Sequence, residues 1–175
     1  MIELVPPVVG LADSWRASVA EFPPGAMLHG FGYDDQFDLP LGTAAGFAKF
    51  VQSLRDAERG IGLPPGWVSY TTFWIIDTGE PDHVLGSLVL RHNLDSDFLA
   101  EYGGHIGYGV RPSARRRGVA SAALQASLPR ARTRGLERVL VTCDDENSAS
   151  RRTITSGGGV FERMAGQRRR YWIAT

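Results

Sequence analysis

Apolar residues along the chain follow a helical period in the first third and strand periods after it. Leu11, Trp15, Val19 and Phe22 recur at helical spacing, which predicts a first helix closed by Pro23-Pro24. Residues 25–42 are rich in Gly, Asp and Pro and read as a long loop. Phe47, Phe50, Val51 and Leu54 form an i, i+3, i+4, i+7 stripe, so a second helix is expected from Thr43 to Arg59. Gly60 to Gly66 reads as another loop. From Tyr70 the pattern changes. Tyr70–Ile76 and Val84–Arg91 are β-rich runs around Asp77–Asp82, a hairpin with a long turn. Residues 92–104 read as a polar loop ending in Gly103-Gly104. His105–Val110 is a third strand, in which Gly107 and Gly109 mark a bulge or a close backbone approach.

A helix follows from Arg117 to Arg134, stopped at Gly135. Pro129 inside it removes the bond to the Gln125 carbonyl and should kink it. Arg138–Cys143 is a short apolar strand. Asn147 suits the N-cap of a helix over Ser148–Ser156, closed by Gly157-Gly158-Gly159. Val160–Met164 and Arg169–Ile173 make a last strand pair. Strand, helix and strand across 105–143 imply one right-handed crossover. The expected fold is therefore α+β: one mostly antiparallel mixed sheet with a central parallel pair and flanking helices. At 175 residues, a single domain over 1–175 is the expectation.

Composition narrows the class. At 43% hydrophobic and 22% charged, the chain has the makeup of an ordinary soluble domain. The longest apolar runs, such as Phe73 to Ile76, fall far short of the roughly 20 residues that span a bilayer. No signal peptide is visible at MIELVPPVVG. The single cysteine, Cys143, excludes an internal disulfide and a Cys-rich zinc site, so a reducing, cytoplasmic location is the default. Cys143 reads as a buried small hydrophobe. His29, His83, His92 and His105 show no metal-ligand spacing, and no metal is expected.

The net charge is zero but divided. Residues 1–109 carry 14 acidic against 5 basic side chains; residues 110–175 carry 5 acidic against 14 arginines. A nucleic-acid binder usually shows basic excess over the whole domain, so nucleic acid is not the expected partner.

The informative stretch is Val110-Arg111-Pro112-Ser113-Ala114-Arg115-Arg116-Arg117-Gly118-Val119-Ala120, between a strand and a helix. A helix start presents unpaired N–H groups and about half a positive charge. Gly118 and Ala120 leave that backbone open to a phosphate, and Arg115, Arg116 and Arg117 add charge at the rim. Other phosphate motifs fail. Lys49 lacks a preceding Gly, and Gly30-x-Gly32 and Gly107-x-Gly109 lack the third glycine of the dinucleotide fingerprint.

Arg115-x-x-Gly118-x-Ala120 resembles the R/Q-x-x-G-x-G/A signature of the GNAT superfamily of acyl-CoA N-acyltransferases, in the same strand-to-helix position. Val139–Cys143 resembles that family's fifth strand, and Asn147 to Gly158 its Asn-to-Gly segment. The string from Gly103 to Ser113 and the ending Arg169–Ile173 are similar to a bacterial subgroup of predicted acetyltransferases without an assigned substrate. The resemblance covers residues 67–175 well and the N-terminal third loosely.

The resemblance implies acetyl-CoA as cosubstrate and direct attack of an amine on its thioester. It implies that the backbone of Tyr108 and Val110 pairs with the pantetheine arm, that the Val110 amide polarises the thioester carbonyl, and that the amides of Arg115, Arg116, Arg117, Gly118, Val119 and Ala120 wrap the pyrophosphate. It implies that Asn147 bonds the pantetheine or lines its tunnel. Many members carry a Tyr general acid on the helix after the Asn; that position is Ile154 here, so Tyr171 or Tyr108 is the candidate substitute. His105 is the first candidate base, with a structural histidine as its equal alternative, and Glu101 the second. The acceptor is a small-molecule or peptide amine. Asp34, Asp35 and Asp38 would favour a cationic one, although solvated loop charges explain them as well. A non-catalytic acyl-CoA-binding module is the alternative function, and a homodimer is one arrangement the resemblance implies.

Overall fold

One seven-stranded sheet, ordered β1-β2-β3-β4-β5-β7-β6, separates two helical layers in the computed structural model, which describes residues 1–31 and 39–175. The strands are β1 (Ile2–Val5), β2 (Tyr70–Asp77), β3 (Glu80–Arg91), β4 (Ile106–Val110), β5 (Arg138–Asp144), β6 (Val160–Ala165) and β7 (Arg168–Ala174). The helices are α1 (Ala12–Ala20), α2 (Ala44–Glu58), α3 (Val119–Thr133) and α4 (Ser148–Ser156). Every neighbouring pair is antiparallel except β4 and β5, the parallel pair that the crossover requires.

Strand alternation sorts the core. Phe73, Ile75, Leu88, Leu90, Ile106, Val141 and Tyr171 point to one face and pack with Val119, Leu124 and Ile154 of α3 and α4. Tyr70, Trp74 and Val89 point to the other, where Trp15 of α1 and Phe47 and Phe50 of α2 cover them. The helical stripe of α2 is therefore its buried face. Thr43 caps that helix by accepting the Gly46 N–H.

Four elements differ from the pattern reading. Strand β1 was not expected; its four residues are too few to show a period, and it is placed by pairing along the β2 edge and by Arg130 of α3, which donates to the Leu4 carbonyl. The β2–β3 turn is short, not long: Asp77 faces Glu80, and the Gly79 N–H donates to the Asp77 carboxylate. Pro81 is tolerated there because β4 pairing reaches only Gly86. The loop over 92–104 contains a π-helical turn at Leu99–Gly103, anchored by buried Leu99. Helix α3 continues through Pro129, which lies on its exposed side.

Gly107 and Gly109 are explained by close approach. A Cβ at Gly109 would lie 2.7 Å from the His29 carbonyl, and a Cβ at Gly30 would lie 2.6 Å from the Gly107 carbonyl. The segment around His29–Phe31 thus lies directly on β4. Gly30 also holds φ +81°, a left-handed conformation. Gly30→Ala should lower stability by about 1–3 kcal/mol in urea unfolding, through collision and backbone strain together. Gly25→Ala, at φ +76° in open space, should lose only the strain, about 1 kcal/mol.

Candidate functional site

Parallel pairing of β4 with β5 is confined to one end. Ile106 faces Val141, and no later residue of β4 has a register partner on β5. His105 closes this end twice. Its N–H donates to the Leu140 carbonyl at 2.7 Å, and its Nδ1 accepts the Leu140 N–H at 2.9 Å. On the β3 side, the Arg91 N–H donates to the His105 carbonyl and the Arg111 N–H to the Leu85 carbonyl. By antiparallel alternation, Gly107 and Gly109 also direct their polar groups at β3. Tyr108 and Val110 direct theirs toward β5, across a gap. The Val110 carbonyl accepts from Arg115 Nε at 3.0 Å. The Val110 N–H and both polar groups of Tyr108 face the gap.

The open end of this gap meets α3. A single 3₁₀ turn at Pro112–Ala114 carries the chain to Gly118, which sits at φ +75° as the N-cap. The first bond into α3 runs from the Ala122 N–H to the Gly118 carbonyl, so the amides of Gly118 to Ser121 are unpaired helix-start donors. Nothing lies within 4 Å of a Cβ built on Gly118, and Arg116 holds φ +63° beside it. This cradle fits a pyrophosphate: open backbone, converging N–H groups, a helix dipole and a basic rim.

The arginines divide into three tasks. Arg111 Nε and Nη2 reach Glu21 Oε1 at 2.8 and 2.5 Å. Glu21 also accepts from the Ser113 N–H and hydroxyl, at 2.9 and 2.8 Å. Arg111 and Glu21 thus tie the loop to the end of α1. Arg115 holds the Val110 carbonyl and lies over the Phe22 ring. Arg117 lines an open cleft with Ser14, Glu80 and His83. Arg116 makes no hydrogen bond or ion pair among the described residues.

The candidate catalytic residues do not converge. His105 is 5% exposed, and burial, with Arg91 nearby, lowers its pKa to about 4. Its Nδ1 lone pair is already engaged by Leu140. Glu101 lies on the π-helical turn and is gripped by Arg163 Nη2 at 2.7 and 2.8 Å, which holds its carboxyl below the usual range. Tyr171 is buried in the core against Phe161. Ile154 is fully buried there too, so the helix after Asn147 has no hydroxyl at that position. Tyr108 is different. Its hydroxyl meets Ser150 Oγ of α4 at 2.9 Å, and burial pushes its pKa up to about 12. Asn147 Oδ1 caps α4 by accepting the Ser150 N–H. Cys143 is buried, and its surroundings push the thiol pKa up. Asp34, Asp35 and Asp38 lie outside the described residues.

Glu21 and Ser150 were missed in the sequence reading. Glu21 carries no local signal, because its partners lie 90 residues away. Ser150 could have been found as the residue whose N–H the Asn147 cap receives.

A sheet split between two parallel strands and opening onto a glycine-led helix start is the architecture of acyl-CoA transferases of the N-acyl class. Residues 41–160 match the acetyltransferase (GNAT) domain family, and the chain belongs to it. No curated protein matches the chain by sequence. Solved structures with the same fold include the Salmonella typhimurium acetyltransferase that modifies the N-terminal serine of 50S ribosomal subunit protein L7/L12. It is 16% identical, with TM-score 0.64 over 99% of this chain and 95% of that one. RimJ of Mycobacterium smegmatis, in complex with CoA-disulfide, is 22% identical, with TM-score 0.63 over 99% and 81%. The microcin C7 self-immunity acetyltransferase MccE, in complex with acetyl-CoA and AMP, is 12% identical, with TM-score 0.62 over 99% and 92%.

The Glu21 contacts carry a pH signature. Hydrogen bonds from Arg111, then from the Ser113 backbone, lower its pKa from 4.5 to about 2. A carboxylate with a depressed folded pKa stabilises fully above its unfolded value and loses that contribution as pH falls through the folded one. Glu21→Gln should therefore remove the part of the stability loss that wild type shows between pH 4.5 and 2. It should also weaken CoA binding several-fold at neutral pH, read by calorimetric titration, because the loop loses its tie to α1.

Proposed function

We propose that the protein transfers the acetyl group of acetyl-CoA to the amine of a small molecule or peptide by direct attack. One observation carries this reading: the unpaired edge of β4 at Tyr108 and Val110 runs straight into the amide-lined start of α3. Structural neighbours in complex with acetyl-CoA or CoA-disulfide support it. When bound, acetyl-CoA supplies an activated thioester and a thiolate leaving group.

The chain's own residues divide the remaining work. Tyr108 and Val110 present backbone groups to the pantetheine arm, as a substitute for the β5 ladder. The Val110 N–H is held in the gap as a donor for the thioester carbonyl. Arg115 holds the carbonyl of the same residue from the loop side. The amides from Arg116 to Ala120 and the Arg116 side chain receive the pyrophosphate. Asn147 keeps its Nδ2 as a donor while Oδ1 caps α4.

The Tyr108–Ser150 hydroxyl pair is assigned the proton for the departing thiolate. A phenol with a pKa near 12 stays protonated throughout the neutral range, so it can donate. A thiol with an ordinary pKa of about 8.5 needs little help, so the contribution is modest. His105 is assigned to structure. It clamps β4 to β5 and takes no proton from the amine, and Glu101 is held too firmly by Arg163 to serve. The amine gives up its proton to solvent water before it attacks the thioester carbonyl.

The test is thiol release from acetyl-CoA across polyamines, aminoglycosides, amino acids and peptide N-termini. Binding of acetyl-CoA without release on any of them would assign the non-catalytic module instead. Tyr108→Phe should lower kcat by about tenfold with little change in the acetyl-CoA KM.

His105→Ala should orphan the Leu140 N–H and lower stability by about 1–3 kcal/mol. His105→Asn restores an acceptor and should recover part of that. Because the imidazole pKa falls from 6.5 to about 4 on folding, wild-type stability should decline as pH drops through that window, and less so in His105→Asn. An ascending limb of the rate profile that disappears in His105→Asn would return His105 to the role of base.

A further inference from the structure

We propose that the acceptor carries an oxyanion, a carboxylate or a phosphate, beside its amine, and that Arg168 and Arg91 bind it on the sheet face covered by α1 and α2. This rests on the acetyltransferase reading and names the substrate class for it.

Alternation places Thr142, Asp144, Arg168 and Arg170 on the face opposite Val141, Cys143 and Tyr171. Arg91 reaches the same face beside the cleft. Its Nη1 would lie 3.8 Å from a Cβ on Gly107, the first residue past the β4–β5 pairing. The His29 carbonyl lies against Gly109, on the same face.

Three consecutive arginines on β7 are compensated unequally. Arg169 is paired with Asp145. Arg170 Nε meets Glu162 at 2.7 Å, and its Nη1 donates to the Ala100 carbonyl. Among the described residues Arg168 has only a long contact, Nη1 to Asp144 at 3.6 Å, and its Nε is buried without a hydrogen-bond partner. Arg91 makes no ion pair among the described residues; its Nη1 donates to the Gly104 carbonyl at 3.0 Å. Both guanidiniums belong to the same sheet face, Arg91 from β3 and Arg168 from β7. Burial lowers the Arg91 pKa, and Arg168 lowers it further. Burial, then Arg168, also holds the His29 imidazole toward its neutral form.

Among the described residues, these two cations therefore share this face with one carboxylate, Asp144, which is itself largely exposed. Leaving a guanidinium N–H buried and unpaired is costly. An arriving oxyanion relieves that cost, because the planar fork of Arg accepts a carboxylate or phosphate on two parallel bonds. A polyamine would meet repulsion at the same place.

The experiment uses the full chain and matched probes: L-phenylalanine against its carboxamide, phosphoethanolamine against ethanolamine, and spermidine as a cation. Thiol release with acetyl-CoA is measured beside equilibrium binding of each probe to the CoA-loaded protein. The anionic member of at least one pair should be favoured roughly tenfold, and the pair that shows it separates carboxylate from phosphate. Arg168→Gln should abolish that preference while the acetyl-CoA KM stays unchanged. Arg168→Lys should keep part of it, and Asp144→Asn should strengthen it by removing the competing carboxylate. Equal or better use of neutral or cationic probes overturns the proposal, as does an Arg168→Gln effect confined to acetyl-CoA, which would make Arg168 a cofactor contact. Absence of binding by every anionic probe also overturns it. Arg168-dependent binding without thiol release would sink the transferase reading and leave the anion site standing.

Discussion

The structure depends on a parallel strand pair that is joined at one end only. A parallel ladder offers evenly spaced slanted bonds, and nothing in the strand lengths of β4 and β5 requires it to stop after Ile106 and Val141. It stops because His105 holds the two strands together with a main-chain bond and an imidazole bond to the same residue, Leu140, while the segment beyond diverges. The polar groups of Tyr108 and Val110 are then left inside a sheet without strand partners. Such groups are expensive to leave unpaired, so the gap is a site in energetic terms before any ligand is considered. The His105 bond is also why the residue with the most suitable intrinsic pKa for base chemistry is unsuited to it here. A lone pair that closes the sheet cannot also accept a proton.

The second constraint is the fixing of the β4–α3 loop from outside. Helix α1 ends at Glu21, whose carboxylate gathers Arg111 and both hydrogen-bonding groups of Ser113. The loop is thereby anchored on its α1 side, which leaves its other side, the amides from Arg116 onward, facing outward. Arg115 adds a brace by holding the Val110 carbonyl from within the loop. The loop and the end of β4 are consequently one mechanical unit. The Val110 backbone and the unpaired amides at Gly118 are held at a constant separation by bonds within the chain itself.

Much of this was legible in the sequence where the information is local. The stripe of Phe47, Phe50, Val51 and Leu54, the Asn147 cap and the Arg115-x-x-Gly118-x-Ala120 spacing each describe a short stretch whose physics is self-contained, and α2, α4 and the helix start stand where those stretches put them. Strand β1 was invisible because four residues show no period and its place depends on β2 and α3. The short β2–β3 turn was hidden by Pro81, which looks like a strand breaker until it is seen that β4 does not extend that far. The catalytic candidates were the least legible part. His105, Glu101 and Tyr171 have suitable chemistry as residue types, but partners distant in sequence engage the first two and the core encloses the third. The Tyr108–Ser150 pair joins a strand and a helix 42 residues apart, and no spacing rule reports it.

The divided charge shows why segment totals do not predict local fields. Asp34, Asp35 and Asp38, in the acidic portion of the chain, suggested a cationic acceptor. Yet the proposed acceptor face carries Arg91, which belongs to that acidic portion, and Arg168, which comes from the basic one, beside Asp144. Several acidic residues of the first portion are already engaged elsewhere: Glu21 with Arg111, Asp56 with Arg59, Glu58 with Arg134 and Glu101 with Arg163. Interactions between exposed charges fade over about 10 Å at moderate salt, so a carboxylate neutralised at the far end of the sheet does nothing for the basin beside β4. What an incoming molecule meets is the residual charge after internal pairing. At the start of α3 that residual is positive because the helix amides and Arg116 are uncompensated. On the opposite face, among the described residues, Arg168 and Arg91 outnumber Asp144. A chain of net charge zero can therefore present positive sites on both faces of its cleft, one suited to a cofactor's phosphates and one to an acceptor's oxyanion.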